Sequence, residues 1–271
     1  MRARTDMFSY TILPHMANVV QRISFYLSRC AHGNHTFPLT TIAGIKAVDT
    51  PLVQKARALV EANFEPYLVR HMYRSWLFGA AAINNNATLA SEIDLEVHAL
   101  GTLLHDLGWD QRPDSPWRST DRRFEIDGAI GATNWIKENG PKSEWDPVRL
   151  QLVWDAISLH GTPSISEYKQ PDVKFIVESI SMDYPGPHPA LTEEDYNSII
   201  AAYPQDGLLE GTNDTFTFLC RTKPDSTYDT WIEPWGVAFV EGYNPVGHRL
   251  FDRANPNVTS PPAKRHFHKL H

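Results

Sequence analysis

Apolar residues recur along this chain at intervals of three and four, the spacing that turns one face of a helix toward a core. Polar residues and prolines punctuate the runs. In DTPLVQKARALVEANF (49–64) Thr50 is placed as an N-cap and Pro51 at the first helical position, where a missing N–H is harmless. PYLVRHMYRSWLFGAAAI (66–83) sets Leu68, His71, Ser75 and Phe78 on one face. SEIDLEVHALGTLLHDLG (91–108) opens with Ser91 and Asp94 spaced as a capping box, and predicts one helix that carries His105 and Asp106 and stops at Gly108. Further helices are predicted at 126–140, closing on Gly140, at 146–160, with Asp146 and Pro147 as cap and first residue, at 170–183, and at 192–203, with Thr192 and Asp195 as a second capping box. Upstream, Met16, Val19, Val20, Ile23 and Leu27 predict an amphipathic packing helix within 11–33, and Arg22 and Arg29 argue against a signal sequence there.

Beyond residue 205 the periodicity weakens, because β-branched, aromatic and turn-forming residues mix through 211–243. Short helices or loops folding back on a bundle fit that stretch better than a sheet. Trp231, Trp235, Phe239 and Tyr243 read as a covering layer, with a pocket lid as the functional alternative. The whole is an all-α domain: an N-terminal extension over 1–48, a helical core over 49–205, covering helices and loops over 206–255, and a Pro-rich, then basic tail over 256–271.

Composition changes this picture little. Hydrophobic residues make up 42% and charged residues 21%, ordinary globular values, and a net charge of −7 does not favour nucleic acid or an anionic membrane as partner. No apolar run approaches the roughly 18 residues of a membrane span. Cys30 and Cys220 give neither a disulfide framework nor a CxxC metal site. The expectation is a cytoplasmic protein with a small-molecule partner, homo-oligomerisation being left open. Sequons at Asn34, Asn86, Asn213 and Asn257 are the one hint of secretion.

The chemistry lies in polar residues set on apolar faces. His71 aligns with Leu68 and Phe78, His160 falls in register with Val153 and Ile157, and Asp183 follows the inward Val177 and Ile180. His105 and Asp106 sit among Leu103, Leu104 and Leu107, seven residues after His98 on the same predicted face. One buried histidine is ordinarily a satisfied core residue, and His98 is read that way. Imidazoles and carboxylates converging from separate helices instead suit a borderline divalent ion such as zinc, iron or manganese.

A His on one helix, an adjacent His-Asp on a later one, a further His and a distal Asp resemble the HD-domain superfamily of metal-dependent phosphohydrolases. RFEIDGAIGA (123–132) and RLQLVWDAISLHGTPSI (149–165) resemble its fungal branch, which contains cyanamide hydratase-like proteins. The resemblance covers about residues 50–190. It implies a helical bundle around one catalytic divalent metal, zinc or iron first and manganese third, with His71, His105, Asp106 and Asp183 as ligands. Many two-metal members carry a His shortly before the GA element. Here Phe124, Glu125, Ile126 and Asp127 stand there, which points to a mononuclear site. Trp109 and Asp110 occupy positions where the hydratases carry threonines, so the pocket and its substrate should differ.

The resulting expectation is a metal-dependent hydratase or hydrolase, a hydro-lyase or hydrolase in class, that adds activated water to a small nitrile- or cyanamide-like nitrogen compound. His160 would shuttle the proton, Glu125 and Asp127 would orient histidines or substrate amines, and Trp109 and Arg74 would contact substrate. The alternative is a phosphohydrolase of a nucleotide or phosphoester, drawing on Arg70, Arg74, Arg122 and Arg123. A diiron oxygenase and a noncatalytic helical binding module are the remaining readings.

Overall fold

Two short strands, β1 (Leu39–Ile42) and β2 (Ile45–Val48), pair antiparallel through a two-residue turn in which Ala43 and Gly44 both have positive φ. Both conformations are those a tight hairpin needs. The hairpin was not expected from the sequence. It is described by a computed structural model covering residues 37–256, so the helix read within 11–33, Cys30, the sequons at Asn34 and Asn257, and all but the first residue of the tail lie outside the described residues.

Twelve α-helices follow among the described residues, and the all-α reading holds apart from the hairpin. They are α1 (Pro51–Asn63), α2 (Pro66–Asn85), α3 (Ala87–Glu92), α4 (Leu95–Leu103), α5 (Phe124–Asn139), α6 (Pro147–Leu159), α7 (Pro163–Ser166), α8 (Pro171–Ser181), α9 (Glu193–Ala202), α10 (Leu208–Thr222), α11 (Glu233–Phe239) and α12 (Leu250–Ala254). The predicted starts are set by local capping. Thr50 Oγ1 accepts from the Val53 N–H, Asp146 from those of Val148 and Arg149, and Thr192 from that of Asp195. One start is corrected. Asn86 caps a separate α3, and Asp94, not Ser91, caps α4 by accepting from the amides of Glu96 and Val97.

Helix α4 is the buried axis, with every residue from Glu96 to Leu103 out of solvent. It packs on α1, α2, α6 and α8, as expected of a helix that is apolar on all sides. Its polar residues are satisfied away from the cavity described below. Glu96 accepts from Thr50 and Arg149, and Arg149 also forks onto Asp94 while lying 4.2 Å over the Trp145 ring. His98 faces Ser179 and Phe175. One apolar core runs from Ile45 in the hairpin to Ile232, and α10 contributes Phe216 and Leu219 to it. No described helix is long and apolar enough to cross a membrane.

Candidate metal centre

The predicted helix through His105 and Asp106 ends early. Helix α4 stops at Leu103, and the chain turns through Leu104–Asp106 into a 3-10 turn at Leu107–Trp109. The cause is tertiary. Helix α5 lies against this turn, and a Cβ on Gly108 would collide with the Phe124 carbonyl. A Cβ on Gly128 would come within 2.6 Å of the His105 carbonyl oxygen. Both glycines let two backbones touch, so Gly108 is a packing residue rather than a helix stop. The turn also removes the shared face of His98 and His105 and aims His105 and Asp106 at α2.

Four side chains meet there with almost no solvent exposure. His71 on α2 places Nε2 3.1 Å from His105 Nε2 and 3.7 Å from Asp106 Oδ2. His105 Nε2 lies 3.0 Å from the same carboxylate oxygen. His160, which caps the end of α6, places Nε2 3.6 Å from Asp106 Oδ1. Each ring's other nitrogen is fixed by a partner: His71 Nδ1 by Asp183 Oδ2 at 2.7 Å, His105 Nδ1 by the Thr102 carbonyl at 2.7 Å, and His160 Nδ1 by the Ile157 carbonyl at 2.6 Å. Carbonyls and an ionised carboxylate only accept, so all three rings carry their proton on Nδ1. Three Nε2 atoms and the Asp106 carboxylate therefore face one point. Asp106 is fully buried, and only histidine rings approach its oxygens, His105 nearest at 3.0 Å; no arginine, lysine, hydroxyl or backbone amide donates to them.

Burying a carboxylate in that state is costly without a cation. The electrostatics reflect the demand. Burial alone would lower the His105 imidazole, but the adjacent Asp106 charge outweighs it and leaves it raised. Burial lowers His160, and positive charge on His105 adds to that. Burial would raise Asp183, but hydrogen bonds from His71 and Arg74 hold it below the usual carboxylate range. Nitrogen and oxygen ligands about 2.0–2.2 Å from a tetrahedral ion stand ~3.3 Å apart, close to the spacing seen here. His71, His105 and Asp106 together offer one ligand atom each within 4.8 Å. The donor set and the orphaned carboxylate fit a metal ion.

Asp183 stands one step behind that trio. Its carboxylate accepts a hydrogen bond from His71 Nδ1, a two-point grip from Arg74 at 2.6 and 2.7 Å, and a bond from Gln205 at 3.0 Å. Arg74 is therefore corrected as a substrate contact: it is fully buried, spent on Asp183 and on the Tyr203 and Pro204 carbonyls, and absent from the cavity. Asp127 is corrected as well, since Lys223, Arg122 and Ser119 saturate it at 2.8 to 3.0 Å. Glu125 orients no histidine; it pairs with Arg123 and accepts from Trp231 Nε1 at 2.8 Å. Asp110 is taken by Arg112 at 2.7 Å, and Arg70 by the Pro204 and Asp206 carbonyls.

A cavity of about 330 Å³ opens over the trio. Trp109 and His160 line it, and Trp231 and Trp235, read from the sequence as a covering layer, form part of its wall. Phe239 is exposed and takes no part. Sequence reasoning missed Tyr184 after α8 and Leu209, Thr212, Asn213 and Phe216 on α10. The available signal was the helical stripe Leu208, Thr212, Thr215, Phe216 and Leu219, hidden by the β-branched and aromatic content around it. The Asn213 sequon is built into this wall, with Trp235 Nε1 donating to Asn213 Oδ1 and the Thr215 hydroxyl buried. No protein-family model matches the chain, and no curated protein matches it.

Proposed function

We propose that this chain is a metal-dependent hydratase or hydrolase of the HD-domain type, acting on a small nitrogen compound with a hydratable carbon. The observation that carries the reading is the convergence of three imidazole Nε2 atoms on a buried carboxylate that no cationic side chain, hydroxyl or amide reaches, at the floor of a cavity. His71, His105 and Asp106 would hold one divalent ion, zinc, iron or manganese, and Asp183 either joins them or fixes the His71 ring through Nδ1. When bound, such an ion supplies Lewis acidity and a water acidified toward neutral pH, ~7.

The remaining work falls to the chain. His160 presents Nε2 to the cavity while the Ile157 carbonyl holds its other nitrogen. It is placed to take a proton as the water oxygen bonds to carbon and one carbon–nitrogen π bond breaks, and to return that proton to nitrogen. Arg74 and Asp183 keep His71 in the required tautomer. The aromatic walls keep bulk water away.

Phosphoester hydrolysis is the weaker reading, because Arg70, Arg74, Arg122 and Arg123 are all committed elsewhere and no lysine or arginine lines the cavity. A second ion, as a diiron oxygenase needs, has little support, since Glu125 and Asp127 are spoken for. The test is a hydration assay with cyanamide and simple nitriles. His160→Gln should retain its metal and lose about 10²- to 10⁴-fold in kcat. Unchanged turnover in that variant would remove His160 from the mechanism.

A further inference from the structure

Apart from the trio and His160, the cavity has no charged wall. Its sides are mainly Phe216, Trp231, Trp235, Ile180 and Leu209, with the Tyr184 ring beside His71 and with Ser181, Thr212 and Asn213 as the polar side chains among them. Phe216 meets Trp231 and Trp235 edge to face at 4.9 Å, so the three rings brace one another as a rigid wall. The cavity has a direction. The trio at its floor is 0–1% exposed, whereas Trp231, Tyr184 and Leu209 at its outer side are 38%, 44% and 65% exposed.

Trp109 adds a polar landmark. It is 3% exposed, lines the cavity, and its Nε1–H has no acceptor. A buried indole N–H usually finds one. An incoming group that accepts a hydrogen bond would satisfy it.

Size separates the candidate ligands. The cavity holds about 330 Å³. A water takes about 30 Å³ of liquid volume, and an apolar cavity of about 150 Å³ suits benzene. A molecule as small as cyanamide would leave most of the space as water against apolar walls. The apolar walls offer phosphates and carboxylates no lysine or arginine, so burying an anionic body there gains nothing beyond what the ion itself supplies. An organic cation would find aromatic faces in Trp231 and Trp235, but the bound ion, only partly neutralised by Asp106, would repel it.

We propose that the site takes an uncharged compound with an apolar body, an aromatic ring or a short alkyl chain, and a single accepting polar end. The body fills the space between Phe216, Trp231, Trp235 and Ile180. The polar end, a nitrile or a neutral carbonyl, reaches the floor beside Trp109 Nε1. The position of that polar end rests on the metal-site reading above; the fit of the body does not.

The test uses the full-length, metal-loaded protein and the fluorescence of the cavity tryptophans. The probes are acetonitrile, propanenitrile, butanenitrile, pentanenitrile and benzonitrile, with pentanoate and butyltrimethylammonium as charged counterparts. Affinity should rise about four-fold per added methylene. Butyltrimethylammonium, which the ion repels, and pentanoate, measured on protein stripped of its metal by chelator, should each bind about tenfold or more weakly than pentanenitrile under the same conditions. Phe216→Ala should flatten the series, and the wild-type gradient stands as a test even if that variant fails to fold. A flat nitrile series, or tighter binding of either charged probe, overturns the proposal. Metal content measured on the same sample separates the two readings. A gradient without metal keeps the apolar site and ends the hydratase reading. Metal with cyanamide turnover and no gradient does the reverse.

Discussion

At the scale of single residues, the centre is a problem of unmatched lone pairs. Asp183 already balances one positive side chain, and Asp106 balances none. Arg74 is thus a positioning residue whose charge must remain. Truncating one member of a buried pair leaves the other uncompensated, at about 3–5 kcal/mol. Arg74→Met should cost about that much in urea unfolding, against near-neutral behaviour for a surface arginine such as Arg253. His98 gives a pH signature remote from the metal trio. Burial lowers its pKa to about 3, with Ser179 and Phe175 as its neighbours. The folded value lies below the unfolded ~6.5, so between those limits the unfolded chain binds the extra proton. Its effect on stability is nil above pH ~6.5 and is a loss of up to ~1.4 kcal/mol per unit as pH falls toward 3. Subtracting the urea midpoints of His98→Gln from those of the wild type, between pH 7 and 4, should reveal this slope. Parallel profiles would show that His98 is not held neutral.

At the scale of elements, the turn after α4 decides whether a site exists, and its geometry depends on glycine. Gly108→Ala should force the 3-10 turn off α5, because the Phe124 carbonyl it would strike is backbone and cannot swing aside. A cost of about 1–3 kcal/mol in thermal melts is expected, with weaker metal retention. Unchanged melting would mean that the contact yields easily. The same turn shows what could be read from sequence. Thr50, Asp146 and Thr192 announced their helices because a cap is a bond between a side chain and its own neighbouring amides. The end of α4 was hidden, because α5 imposes it across the fold and Leu104 and Leu107 continue the apolar pattern past it. His71, His105, Asp106 and His160 were legible as polar residues on apolar faces. Arg74, Glu125 and Asp127 were misread because partners such as Lys223 and Trp231 lie about a hundred residues away in sequence. The hairpin was missed because strands of four residues give periodicity little to act on.

At the scale of the whole molecule, the helical layer carries the polar floor and the region after residue 205 supplies the apolar walls. Helices α2, α6 and α8 and the turn after α4 bring His71, His160, Asp183, His105 and Asp106 together. Helix α10 and the segment 231–235 close the cavity with Phe216, Trp231 and Trp235. The polar floor and the apolar walls thus come from different parts of one continuous core. The central claim is that this core is built around an ion. Elemental analysis of the protein purified without chelators, beside Asp106→Asn and His105→Ala prepared identically, tests it most directly. The account predicts about one zinc, iron or manganese per wild-type chain, and less than about a tenth of that in either variant. A wild-type chain that stays metal-free after incubation with each of the three ions, or variants that retain the full amount, would contradict it.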